Sequence, residues 1–391
     1  MYVVEDKDGA IALMLVALLC LGTWPAIFTL LERRGRLPQH TYLDYSITNL
    51  LAAIFFALTF GQIGDSKYNM PNFLTQLSQD NWPSILFAMA GGVVLSLGNL
   101  ATQYALAFVG LSVTEVITCS IAVVLGSISP ESLDTARARN INLRDLKFQP
   151  NSRNPNPREK NYLIHTIQCS HGNTLADLEE NLESGAHHIS TSKTEKAKAG
   201  TAEYLIELEK KRSIKVIGSN TFLGLGIVFF AGICFSLFSP IFNLATNDQW
   251  HTLKEGVPHL VVYTAFFYFS ISCFILAIVL NLMFLYKPVL GLPSSSLKAY
   301  VNDWNGRQWA LLAGLLCGFG NGFRFMGGQA AGYAASDAVQ ALPLVCTFWG
   351  IVLFGEYRQS SKKTYILLVS MIAMFIIAVA VLVASSGHRK T

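Results

Sequence analysis

The chain has 391 residues, of which 52% are hydrophobic and only 14% charged, and its formal net charge is +4. Soluble domains carry about 25% charged residues, so this balance, with a mean hydropathy of +0.40, excludes an ordinary soluble domain and points to an all-α polytopic membrane protein. No basic motif interleaved with aromatics occurs, which excludes nucleic-acid recognition.

The first apolar run, from about Gly9 to Leu31, follows an acidic leader and lacks a small-residue cleavage site, so it reads as a retained helix. Trp24-Pro25 lies near its end, where proline frees a carbonyl and kinks a helix beside a cavity. The cluster Glu32 to Arg36 that follows reads as cytoplasmic by its positive charge. Further spans are predicted from about Tyr42 to Ile63, Trp82 to Tyr104 and Phe108 to Ile128, the last two joined by a tight turn around Gly110. These make a first transmembrane half, residues 1–128. From Ser129 to Lys215 no stretch reaches the roughly 20 apolar residues that a span needs. Residues 129–215 therefore read as a polar, largely disordered central loop, with a short amphipathic helix near 201–216. The second half, residues 216–391, supplies five spans: about Thr221 to Leu244, Leu260 to Tyr286, Trp309 to Ala330, Tyr333 to Phe354 and Thr364 to Ala384. Positive charge places Lys210 to Lys215, Lys287 to Arg307 and Arg358 to Lys363 on the same side as Arg36. Four spans before the loop leave the chain on the wrong side to satisfy that rule. A fifth span is therefore missing after Gly126, and replacement of a segment between about Ser127 and Ser170 accounts for it.

The two halves echo each other. One offset of 222 positions maps Gly98-Asn99 onto Gly320-Asn321, Gly110 onto Gly332, and Thr114-Glu115 onto Ser336-Asp337. A weaker echo links Trp24-Pro25 to Ser239-Pro240. Inverted repeats, here 4+5 helices where 5+5 is expected, are a hallmark of secondary transporters, whose site lies where the halves meet. Small residues and amides recur for helix packing as well, but packing requires no repeated carboxylate.

Trp24-Pro25, Phe235-Ser236-Leu237-Phe238-Ser239-Pro240, Asn247-Asp248-Gln249-Trp250-His251 and Met326-Gly327-Gly328-Gln329-Ala330 together resemble the plant ureide permeases, within the drug/metabolite transporter-like group of ten-helix carriers. That resemblance implies uptake of allantoin, uracil and related oxo-heterocycles such as xanthine, coupled to protons. Arg324 departs from it, standing where the family carries a neutral amide. Lys211 and Gly218-Ser219 lie in a stretch that resembles one sometimes read as a nucleotide loop, but it lacks the GKS or GKT lysine and the preceding glycine. No cofactor is expected beyond a proton gradient, and no metal.

Flat, uncharged heterocycles rich in amide-like groups call for Asn, Gln, Ser or Thr partners and an aromatic face. The candidates for substrate are Trp24, Asn99, Gln103, Thr114, Asn321, Gln329, Tyr333, Ser336 and Gln340, with interhelical hydrogen bonding as the alternative role of each polar one. Proton coupling needs a buried carboxyl, and Glu115 and Asp337 fit by type and by repeat position. Asp248 and His251 are candidates for a gate or proton relay. The remaining partner is membrane lipid, with the plasma membrane favoured over the endoplasmic reticulum. A membrane enzyme finds no nucleophile elbow or zinc motif. A splice-altered, non-transporting membrane protein is the other alternative.

Overall fold

The computed structural model describes residues 2, 4, 7–64, 66, 70–126, 221–247, 258–331, 337–356 and 362–387. Several sequence readings lie outside them: the loop 129–215 with its amphipathic helix, the replaced fifth span, the Lys211 to Ser219 stretch, the Asp248/His251 pair, Gly332 of the repeat, and the candidates Tyr333 and Ser336.

The described residues form eleven α-helices and one 3₁₀ turn: α1 Lys7–Arg33, α2 Pro38–Leu58, α3 Phe73–Leu77, α4 Trp82–Val109, α5 Leu111–Gly126, α6 Thr221–Thr246, α7 Val262–Tyr286, α8 Leu297–Asn302, α9 Arg307–Ala331, the 3₁₀ turn Asp337–Ala341, α10 Pro343–Phe354 and α11 Lys362–Gly387. Six of them (α1, α2, α4, α6, α7 and α9) are long and apolar enough to cross a membrane. Two boundaries differ from the sequence reading in an informative way. Helix α4 runs five residues past Tyr104 and breaks only at Gly110, which takes φ of +84°, a conformation side chains disfavour. The span expected from Tyr333 to Phe354 is not one helix. It comprises the 3₁₀ turn and then α10, which starts at Pro343 because proline brings no N–H to an α-helical bond and suits a first turn.

Packing exchanges helices between the halves. Helix α9 lies against α1 and α2, while α4 lies against α6 and α7. The two arrangements repeat at atomic detail. A Cβ on Gly92 would stand 2.1 Å from the Phe269 carbonyl oxygen and 2.2 Å from Ser272 Oγ; on Gly314, 222 positions later, it would stand 2.1 Å from the Tyr45 carbonyl oxygen and 2.2 Å from Thr48 Oγ1. The hydroxyls recur as well, since Ser272 donates to Met89 O at 2.7 Å and Thr48 donates to Leu311 O at 2.7 Å. Small residues here let backbones meet in an environment where water supplies no drive between helices.

The bundle is closed differently at its two ends. At the end where α1 meets α2, the fully buried Arg36 guanidinium donates to Asp44 Oδ2 at 2.5 Å. The same carboxylate accepts from Arg307 Nε at 3.3 Å and from the Tyr300 hydroxyl at 2.7 Å. His40 joins through Asp303 at 2.7 Å and Ser295 at 2.9 Å. The Arg36 and Lys287 to Arg307 regions, assigned to one side by charge alone, therefore meet. Partial burial pushes the Asp303 carboxyl up, but the His40 hydrogen bond and the Arg36 charge outweigh it and hold it below its ordinary 3.8. Its contribution to stability is complete above that ordinary value and is lost as pH falls through the lower folded one. At the other end the contacts among the described residues are neutral: Gln76 donates to His259 O at 3.0 Å and accepts from Val261 N at 2.9 Å, and Ser84 donates to Pro258 O at 3.2 Å.

Candidate functional site

Between those ends, α1, α2, α4 and α9 bring together the two asparagines that the repeat singles out. Asn99, on α4, is 4% exposed, and so is Asn321 on α9. They are joined by a chain of hydrogen bonds. Asn99 Nδ2 donates to the Tyr45 hydroxyl at 3.0 Å, that hydroxyl donates to Cys317 Sγ at 2.9 Å, and Asn321 Nδ2 approaches the same sulfur at 3.4 Å. The Trp24 ring lies 5.6 Å from the Tyr45 ring and packs edge-on to Phe28 at 5.1 Å. Tyr42, 5.2 Å from Tyr45, donates to Ser96 O at 2.9 Å. An amide pair and an indole thus share one buried locus.

A second buried polar group lies where α5 crosses α10. Glu115 is 3% exposed, and its Oε1 has no hydrogen-bond partner; neither has Thr114 Oγ1 on the preceding residue or Thr347 Oγ1 on α10. Cys119, one turn along α5, lies within electrostatic reach of both Glu115 and Arg324, and Cys346 of α10 lies within reach of Glu115. Arg324 is itself buried, with its guanidinium 5.2 Å from the Phe238 ring. An ionised carboxylate sealed without a hydrogen bond costs several kcal/mol, so this position suits a group that gains and loses a proton.

The start of α5 is held from the other half. Its first amides are orphans, as in any helix. The Glu356 carboxylate accepts from Leu111 N at 3.2 Å, Ser112 N at 3.3 Å and Ser112 Oγ at 2.5 Å. Glu356 reaches them because α10 ends at Gly355 in the left-handed conformation, turning the chain back so that Glu356 N donates to Gly350 O. Glu356→Ala is expected to lower the stability of the purified protein by about 1–2 kcal/mol, the scale of a lost N-terminal cap with its charge. A thermal melt in detergent measures it.

Not every candidate joins these two groups. Gln103 donates to Pro38 O at 2.8 Å and so ties α4 to the first turn of α2. Gln329 is exposed near the end of α9, away from the buried asparagines. Gln340 is buried at 9% in the 3₁₀ turn. Asp337 opens that turn, with its side chain outside the description, and Tyr333 and Ser336 lie outside the described residues altogether. Sequence reasoning passed over Tyr45, Cys317 and Glu356. A thiol inside an apolar span suggests only a small apolar filler, yet Cys317 accepts from Tyr45, Cys346 donates to Gly22 O at 3.1 Å and Cys273 donates to Gly92 O at 3.0 Å. The signal available for Cys317 was its place one helical turn before Asn321.

The sequence model described as ureide permease matches residues 41–385. Ureide permease 2 of Arabidopsis thaliana is 63% identical, with all of both chains covered. Ureide permease 1 of Arabidopsis thaliana is 64% identical, again over the whole of both chains. Probable ureide permease A3 of Vigna unguiculata is 57% identical over 93% of this chain and all of its own. The alignment to ureide permease 2 runs over 402 residues against 391 here, which leaves 11 positions for insertions. That is fewer than the roughly 20 of a membrane span, so no whole span of that relative is deleted from this chain. No solved structure matches the chain.

Proposed function

The chain belongs to the ureide permease family, and on that premise we propose that it is a secondary carrier which moves neutral cyclic ureides and oxo-heterocycles, allantoin and uracil among them, together with a proton. The relatives are named permeases, so transport rather than catalysis is the activity. The observation that carries the substrate class is the burial of the repeat-related Asn99 and Asn321 in one hydrogen-bonded group beside Trp24. Amides offer both a donor and an acceptor to a ring of alternating N–H and C=O groups, and an indole offers it a face. Glu115 supports the proton, since its buried oxygen lacks a partner, and Asp337 is its counterpart in the second half. The halves work as an inverted pair in the plasma membrane, exposing this locus to each side in turn.

Uptake of labelled uracil and allantoin by yeast lacking its own permeases tests the reading. Uptake is expected to rise as external pH falls. Glu115→Gln, which keeps shape and removes the titrating group, is expected to hold substrate binding while flattening that pH profile. A profile unchanged in both Glu115→Gln and Asp337→Asn removes proton coupling through these acids. Absence of uptake by the unaltered chain at any pH favours the competing reading, a non-transporting membrane protein altered after Gly126.

A further inference from the structure

We infer that Tyr45 and Cys317 are positioning residues that fix which end of each repeat asparagine faces the substrate, and so make the carrier select for ring N–H groups. The inference deepens the function proposed above and rests on it.

The direction of the hydrogen bonds carries the argument. A phenol has one proton to donate. Tyr45 gives it to Cys317 Sγ at 2.9 Å, a sulfur that is only a weak donor in its own right. Toward Asn99 the Tyr45 oxygen is therefore left as an acceptor, and Asn99 must turn its Nδ2 to it, at 3.0 Å. The same sulfur draws Asn321 Nδ2, at 3.4 Å. Both amides are thus tied by nitrogen to one relay, and flipping either would set oxygen against an acceptor. The consequence appears at the other end of each amide. Among the described residues, neither Asn99 Oδ1 nor Asn321 Oδ1 has a hydrogen-bond partner, since both amides spend their nitrogen on the relay. Two acceptors, one from each half, thus sit at the two ends of a relay whose Tyr45 ring lies 5.6 Å from the Trp24 ring. A cyclic imide or ureide carries N–H donors that satisfy such acceptors, whereas its N-methylated analogue leaves them unpaired. A site built on hydrogen bonds rejects an analogue that lacks the partner group, at about tenfold for each net hydrogen bond lost.

The test uses the full chain in proteoliposomes and reads the competition against labelled uracil by unlabelled uracil and by 1,3-dimethyluracil. The unaltered chain is expected to prefer uracil by tenfold or more. Tyr45→Phe removes the relay oxygen, frees the Asn99 amide to rotate, and is expected to bring that preference within about threefold. Cys317→Ala is expected to lower it too, and Cys317→Ser, whose hydroxyl can accept and donate, to restore it. A structural role for the two side chains would change the amount of folded carrier without changing the ratio. Retention of the full preference in Tyr45→Phe and Cys317→Ala carriers that still transport overturns the inference and leaves the proposed function standing. Absence of uracil and allantoin transport by the unaltered chain overturns both. Should Tyr45→Phe not insert, the two Cys317 variants decide alone, and equal ratios in them refute the relay.

Discussion

Gly314→Ala is expected to remove nearly all folded carrier from the membrane. The added methyl would meet the Tyr45 carbonyl oxygen at 2.1 Å, Thr48 Oγ1 at 2.2 Å and the Tyr45 carbonyl carbon at 2.9 Å. Thr48 could rotate, although it would forfeit its bond to Leu311 O. The carbonyl could not, because it belongs to the backbone of α2 and is fixed by that helix. Relief therefore requires α2 and α9 to move apart by an ångström or more along their contact. Overpacking of this kind costs about 1–3 kcal/mol, and more when backbone is the obstacle. A typical domain has only about 5–15 kcal/mol in all. Gly92→Ala is expected to behave alike, its methyl meeting the Phe269 carbonyl. Gly226→Ala is the control: nothing lies within 4 Å of its added Cβ, and alanine favours the helix. Quantification of monodisperse protein by fluorescence-detected size exclusion should show loss in the first two and none in the third.

Asp44→Asn is expected to be the most damaging change of a single charge. Asp44 is the anion that Arg36 and Arg307 share, and it also accepts from Tyr300. Arg36 is wholly buried, so it has no water to fall back on. Removing one member of a buried ionic group costs about 3–5 kcal/mol, because the partner is left charged and dry. A fall in the detergent melting temperature measures this. The double change Arg36→Met with Asp44→Asn is expected to recover part of the loss, since no charge then stays buried without its counterion. Such recovery in a double-mutant cycle assigns the energy to the pair rather than to the volume of either side chain.

Much of this organisation was legible beforehand, and particular residues show why. Apolar runs broken by Gly110, Pro38 and charged turns mark helix ends through local chemistry, so the ends of α2 and α4 could be placed to within about five residues. The offset of 222 flagged Asn99 and Asn321 because an amide is conspicuous among leucines. Partnership was another matter. Nothing local to Asp44 says that its arginines come from before α2 and from the start of α9, or that Glu356 closes the start of α5. Those facts depend on which helices exchange between the halves. Cys317 was hidden by its type, since a thiol inside an apolar helix is usually inert filler and becomes a relay only when Tyr45 arrives from another helix. The 3₁₀ turn before α10 escaped notice because its polar residues, Asp337 and Gln340, read as site residues within a span rather than as signs of a break.

The unlike closures of the two ends give the molecule a built-in asymmetry of effort. Parting Gln76 from His259 and Val261 exchanges neutral bonds for water, at about 1 kcal/mol apiece. Parting Asp44 from Arg307 separates paired ions that must be rehydrated as they come apart, and the neighbouring Arg36 shares in the same carboxylate. Traffic through a barrier of each kind answers to different things. Neutral amide contacts are indifferent to salt, whereas the paired ions lose mutual attraction once water and electrolyte reach them. Salt is thus expected to loosen the Arg36 end of the bundle and to leave the described contacts around Gln76 unchanged.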